Sequence, residues 1–319
     1  MERCDFLPVS AEEMHERGWW WYDALVVGGD AYVDHPSFGT AVISRVLEAE
    51  GLRVAVLAQP DWHDAEAFRA MGRPRLGVFI GAGNLDSMVA HYTAAKRRRS
   101  EDFYSPGKRT GCRPDRAAIV YCNRAREAFG PDMPIILGSL EASLRRFAHY
   151  DYWDDSVRRA ILFDAPADLL VYGMGEAATI EIAHRLKKKQ SVRTMTDIPG
   201  TGYITRDPSV CKFDHITLPS FEDVRDDKRL YAEATRTEYA EHDPIRGRAM
   251  IQPCEGRYLI INPPAMPLDT KELDRVAGLP YTREWHPMYE PLGGVPAIEE
   301  VRFSVIHNRG CFGLSLIHI

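Results

Sequence analysis

No apolar run in this 319-residue chain approaches the roughly 20 residues that a membrane-spanning helix needs. The first residues, M-E-R-C-D, also lack the basic start and apolar stretch of a secretory signal. Both absences point to a cytoplasmic protein with no membrane partner. Cysteine is scarce and scattered. Six residues over this length exclude a disulfide framework, and Cys4, Cys112, Cys122, Cys211 and Cys254 read as reduced thiols. A basic excess is missing too. The formal net charge of -6 gives a nucleic-acid partner no support, and the one basic run, 96–99, reads as a solvated loop or helix end. There is no G-x-G-x-x-G after the first strand, no Walker loop, no G-x-S-x-G and no H-E-x-x-H. These absences remove the common dinucleotide, nucleotide, serine-hydrolase and zinc-protease readings. Cys211 and His215 have the spacing of a helical metal pair, but no partner pair accompanies them.

What is present is alternation. Short apolar runs at 23–29, 53–58, 76–81, 133–138 and 168–173 read as buried strands. Helical spacing fills 39–50, 64–71, 115–129 (capped by Asp115), the stretch from Glu141 and 176–189. A polar stretch at 92–114 reads as an insertion or lid. Five strands joined through helices predict an α/β fold with an open parallel sheet covered on both faces. Its strand order, flavodoxin-like or Rossmann-like, cannot be read from the residues alone. Beyond 190 the pattern loosens, with a helix at 224–239, a strand at 258–261, a short helix at 270–276 and a strand at 301–306.

Ligands of such sheets sit at the carboxyl ends of the strands. Here those ends are G-G-D, G-A-G-N, G-S-L-E and G-M-G-E, which suggests a small-molecule cleft lined by Asp30, Asp34, His35, Asn84, Glu141 and Glu176. The competing reading is that these glycines and acids merely end strands and start helices. The aromatic run 19–22 reads as packing, and 150–155 as packing with a helix cap or as a binding loop.

Seven segments carry a resemblance. They are G-D-A-Y-V-D-H-P-S-F-G (29–39), A-Q-P-D-W (58–62), G-S-L-E-A-S-L-R-R-F-A-H-Y-D-Y-W (138–153), L-V-Y-G-M-G-E (170–176), L-P-Y-T-R (279–283), H-P-M-Y (286–289) and R-G-C-F-G (309–313). In that order they resemble the YgiQ family of radical S-adenosylmethionine (SAM) proteins. The resemblance implies an N-terminal α/β domain similar to cobalamin-binding domains, hence a flavodoxin-like sheet. A radical SAM barrel would follow, binding a [4Fe–4S] cluster and SAM and drawing electrons from a flavodoxin or ferredoxin. It implies the division 1–190 for the α/β domain, 191–295 for a connector and 296–313 for the start of the barrel. Cys311 becomes the first of three cluster thiolates, which suit iron–sulfur ligation.

Two departures accompany it. The D-x-H-x-x-G motif of histidine-ligated cobalamin domains is absent, since Asp34 and His35 are adjacent, which counts against cobalamin. After Gly313 the family's next two cysteines are replaced by Ser315 and His318. Residues 314–319, L-S-L-I-H-I, are the in-frame translation of a transposon end used in sequencing libraries. The expectation is therefore an interrupted chain, inactive by itself, whose parent cleaves SAM to a 5′-deoxyadenosyl radical. The substrate, small or macromolecular, is not legible. The rival expectation is a non-catalytic module that binds a small molecule.

Overall fold

The computed structural model describes residues 5–304. The five expected apolar runs become β1 (Ala24–Gly28), β2 (Val54–Ala58), β3 (Gly77–Ile80), β4 (Ile135–Leu137) and, after a small hairpin of β5 (His149–Asp151) and β6 (Ser156–Arg158), β7 (Leu169–Val171). They pair in parallel in the order β2-β1-β3-β4-β7. β8 (Thr201–Thr205), β9 (His215–Thr217), β10 (Ala249–Cys254) and β11 (Arg257–Ile261) extend the same sheet to nine strands, joining as β7-β8-β11-β10-β9. The first three of these new pairings are antiparallel and the last is parallel. The expected boundary at 190 therefore falls inside one continuous sheet, because β8 bonds directly to β7.

Side chains alternate across the sheet as the two-residue period of a strand demands. Val26, Val54, Val56, Phe79, Ile136 and Leu169 face one core, where the helices Gly39–Ala49 and Glu176–Lys187 pack. Leu25, Val27, Val78, Ile80, Leu137 and Leu170 face the other, against Glu66–Ala70 and Ala117–Phe129. Each such aliphatic chain contributes roughly 1.5–3 kcal/mol when buried, which explains why these runs read so clearly.

Four local expectations are corrected. The helix expected at 224–239 is two helices, Phe221–Asp226 and Lys228–Ala240. They break at Asp227, which turns extended so that its carboxylate can cap the second by accepting from Arg229 N at 2.7 Å. Asp115 does not cap the helix that follows it. The N-cap is Arg116 in a left-handed conformation, and the Asp115 carboxylate instead binds His91 and Tyr92. The strand expected at 301–306 begins with helix, since Ile298–Val301 is helical and Arg302 and Phe303 form a turn. The rest of that strand lies outside the described residues. Within the aromatic run, Trp21 stacks under Arg53 and Arg75, but Trp20 is largely exposed.

Candidate functional site

The carboxyl ends of β1, β3, β4 and β7 open into a cleft of about 160 Å³. Its floor is apolar, from Val26, Phe79, Ile136 and Val171. Its rim is formed by Gly39, Thr40, Ser139, Gly173, Glu176 and Thr179. The glycines around it do different jobs. A Cβ on Gly29 would stand 1.9 Å from the Ala82 carbonyl oxygen, so that glycine serves backbone-to-backbone packing. Gly39 has nothing within 4 Å of its missing Cβ and leaves the rim open.

Of the six expected cleft residues, Glu176 lines the cleft, standing in the first turn of the helix Glu176–Lys187. The others are turned to building the loops around it. Asp30 is buried and accepts from Arg113 Nη1 at 2.8 Å and from Asn84 N at 2.6 Å. Burial holds its carboxyl above the ordinary range even beside the Arg113 guanidinium. Arg113 also binds Asp102 at 2.9 Å, so the 92–114 stretch is anchored to the strand end by a buried ion triad. Asn84 accepts from Gly39 N and donates to Ser37 O, fixing the loop before the first long helix. Glu141 is fully buried and accepts from Ser87 N at 2.9 Å and Ala118 N at 3.0 Å, tying two helix starts together. Burial, and then the charge of Asp86, raise its carboxyl.

Asp34 and His35 serve the chain's later part. Asp34 pairs with Arg45 and accepts from Thr282 N at 3.0 Å. His35 accepts from Ser37 N through Nδ1. Its Nε2 is buried with no hydrogen-bond partner among the described residues, away from the cleft wall. Burial and then the Arg283 charge lower its basicity. Around this pair the segment 281–298 straps the strand-end loops. Val33 bridges Trp285, His286 N donates to Tyr32 O, and Tyr289 Oη accepts from Tyr32 N. Gly107 N donates to Gly294 O and Ala297 N to Phe103 O.

The rim residues Thr40, Ser139 and Thr179 escaped the sequence reading because small hydroxyl residues are common at helix starts. Ser139 carried one signal, its place directly after a strand-ending glycine. There it adopts a φ of +73° and accepts from Ala82 N.

Metal chemistry has little to work with in this part. Among the described residues, no three His, Cys, Asp or Glu side chains gather to hold an ion, and the cleft wall bears no imidazole or thiol. Cys122 and Cys254 are buried, with thiols raised by desolvation, Cys254 to about 12. The described residues therefore do not by themselves form a cluster site. Cys311 lies outside the described residues, as do 314–319. No described helix is long and apolar enough to cross a membrane.

Comparison with known proteins agrees with the geometry of a family scaffold. A UPF0313 protein of Clostridium botulinum (strain 657 / Type Ba4) is 53% identical over 313 residues, covering 98% of this chain and 49% of the relative. One of Clostridium perfringens (strain SM101 / Type A) is 52% identical over 98% of this chain and 47% of its own length. The chain thus spans about half the length of the curated relatives it matches. A solved radical SAM methyltransferase, TsrM from Kitasatospora setae, shows partial likeness only. It has 20% identity and a TM-score of 0.37 over 56% of this chain and 28% of that one. The family described as Radical SAM N-terminal matches residues 6–304, nearly the whole of the strand-end scaffold and its strap, and the chain belongs to that family.

Proposed function

We propose that these residues form the N-terminal α/β part of a radical SAM enzyme. The observation that carries this reading is the family match over residues 6–304, with R-G-C-F-G a few residues beyond it at 309–313. The order of the five parallel strands supports the finer reading of a flavodoxin-like sheet, with its cleft at the switch point beside β1 and β3.

In this proposal Cys311 and two further cysteines, in the half of the relatives that this chain does not span, would hold a [4Fe–4S] cluster that serves SAM. Bound there, and reduced by a flavodoxin or ferredoxin, the cluster would supply the electron for cleaving SAM to methionine and a 5′-deoxyadenosyl radical, which would take hydrogen from the substrate. The described residues do the positioning. The 281–298 strap, held by Asp34 and the Tyr32–Tyr289 bond, closes over the strand-end loops. The cleft itself, without imidazole or thiol on its wall, supports binding of a small molecule rather than reaction with it. That is the sense in which the rival reading of a binding module survives for the α/β part.

The test uses a chain of the relatives' full length, reconstituted anaerobically with iron and sulfide. We expect thiolate-to-iron absorbance and reductive release of 5′-deoxyadenosine, both abolished by Cys311→Ala. Retention of both after that substitution would remove Cys311 from the site. Absence of both in the unaltered protein would overturn the radical SAM proposal.

A further inference from the structure

Beside the strand-end cleft, and sharing Ser139 and Gly173 with it, lies a second cavity of about 350 Å³. Its floor is Tyr172, just after β7. One wall is the helix Ser139–Leu144 with Arg146 beyond it. The opposite wall is Thr235, Glu238, Tyr239 and His242. Those four stand at i, i+3, i+4 and i+7, the spacing that stacks side chains on one helix face.

The cavity holds a cation that makes no salt bridge among the described residues. Arg146 donates from Nη1 to Ser143 O at 2.6 Å, and its Nη2 lies 3.4 Å from His242 Nδ1. Its Nε is buried with no hydrogen-bond partner among the described residues. The adjacent Arg145, by contrast, is paired with Asp86. The Arg146 guanidinium lies 5.1 Å from the ring centroids of both Phe147 and Tyr172, which hold it by cation–π attraction without neutralising it. A guanidinium does not shed its proton to escape burial, so it is left needing an anion. Glu238 on the facing wall does not fill that need. It makes no ion pair with Arg146, and burial pushes its carboxyl up to about 8, which keeps it neutral at pH 7.

We propose that this cavity binds a small carboxylate-bearing molecule, its carboxylate on Arg146 and its body between the two helices. One guanidinium balances one negative charge, and its planar fork matches a carboxylate better than a doubly charged phosphate here. The proposal stands apart from the radical SAM reading, because neither cluster nor SAM enters its test.

The test is calorimetric titration of the 319-residue chain with benzoate, with benzamide and with inorganic phosphate. Benzoate and benzamide share shape and differ in charge. Benzoate is expected to bind roughly tenfold or more tighter than benzamide, the size of one charge-assisted contact, with phosphate weaker than benzoate. Arg146→Met should erase that preference. Thr235→Trp, which fills the cavity from the other wall and leaves Arg146 untouched, should abolish benzoate binding and decides the matter if the first variant fails to fold. Equal binding of benzamide, tighter binding of phosphate, no binding of benzoate, or benzoate binding unchanged in a folded variant would each overturn the proposal.

Discussion

Two regions along the strand ends treat charge in opposite ways. Around β1 and β3, arginines are sunk into the protein and paired with carboxylates. Arg113 sits between Asp30 and Asp102, and Arg45 between Asp34 and Glu48. Beside β7, Arg146 and Glu238 share a cavity without a salt bridge, although both are half-buried. Matched burial costs desolvation but specifies one loop arrangement. Unmatched burial leaves a demand that another molecule can meet. The comparison separates scaffold from site. The acids of the first region hold the cleft's loops in place, while the charges of the second are available for recognition.

The sharpest way to break that contrast is Arg113→Met. It leaves Asp30 and Asp102 buried with no counter-ion, and should cost about 3–5 kcal/mol of stability in urea denaturation. A loss comparable to an ordinary surface substitution would mean the triad does not anchor the 92–114 stretch. A loss of similar size is expected for Glu141→Ala, which strips the acceptor from Ser87 N and Ala118 N. Each buried donor left alone costs about 1–3 kcal/mol. Glu141→Gln keeps one acceptor and should recover part of the loss. A full loss with Gln would assign the effect to the lost charge instead.

A pH dependence sharpens the other side of the comparison. Burial raises the Glu238 carboxyl from 4.5 to about 8, so the folded protein keeps a proton that the unfolded chain releases. Its favourable contribution is therefore full below pH 4.5 and is lost as the pH rises through about 8. Stability measured against pH should fall over that window in the unaltered chain and flatten in Glu238→Gln. Parallel curves for the two proteins would show that Glu238 titrates normally.

The parallel half was legible because each of its strands is buried on both faces, which leaves a continuous apolar run between glycines. The other half hid. β9 is a three-residue strand with both its end residues, His215 and Thr217, exposed, and β8 loses its burial after Tyr203. Their assignment depends on pairing with β10 and β11, which no local pattern announces. The site was half legible in the same sense. The turns G-G-D, G-A-G-N, G-S-L-E and G-M-G-E do converge on one edge. Yet a buried carboxylate that grips a ligand and one that grips a backbone N–H look alike in sequence. Asp30 is answered by Arg113, 83 residues away, and Glu141 by Ser87 and Ala118.

By itself, then, the chain's order of residues determined a layered α/β scaffold, its strand-end edge and its family likeness, because hydrophobic period and turn chemistry act over a few neighbours. Only the tertiary structure decided that the sheet runs on past residue 190, that Asp34 secures the 281–298 strap, and that Arg146 is left without an anion. Those outcomes depend on which distant groups arrive to satisfy a buried charge or an open strand edge, and distance along the chain carries no record of that meeting.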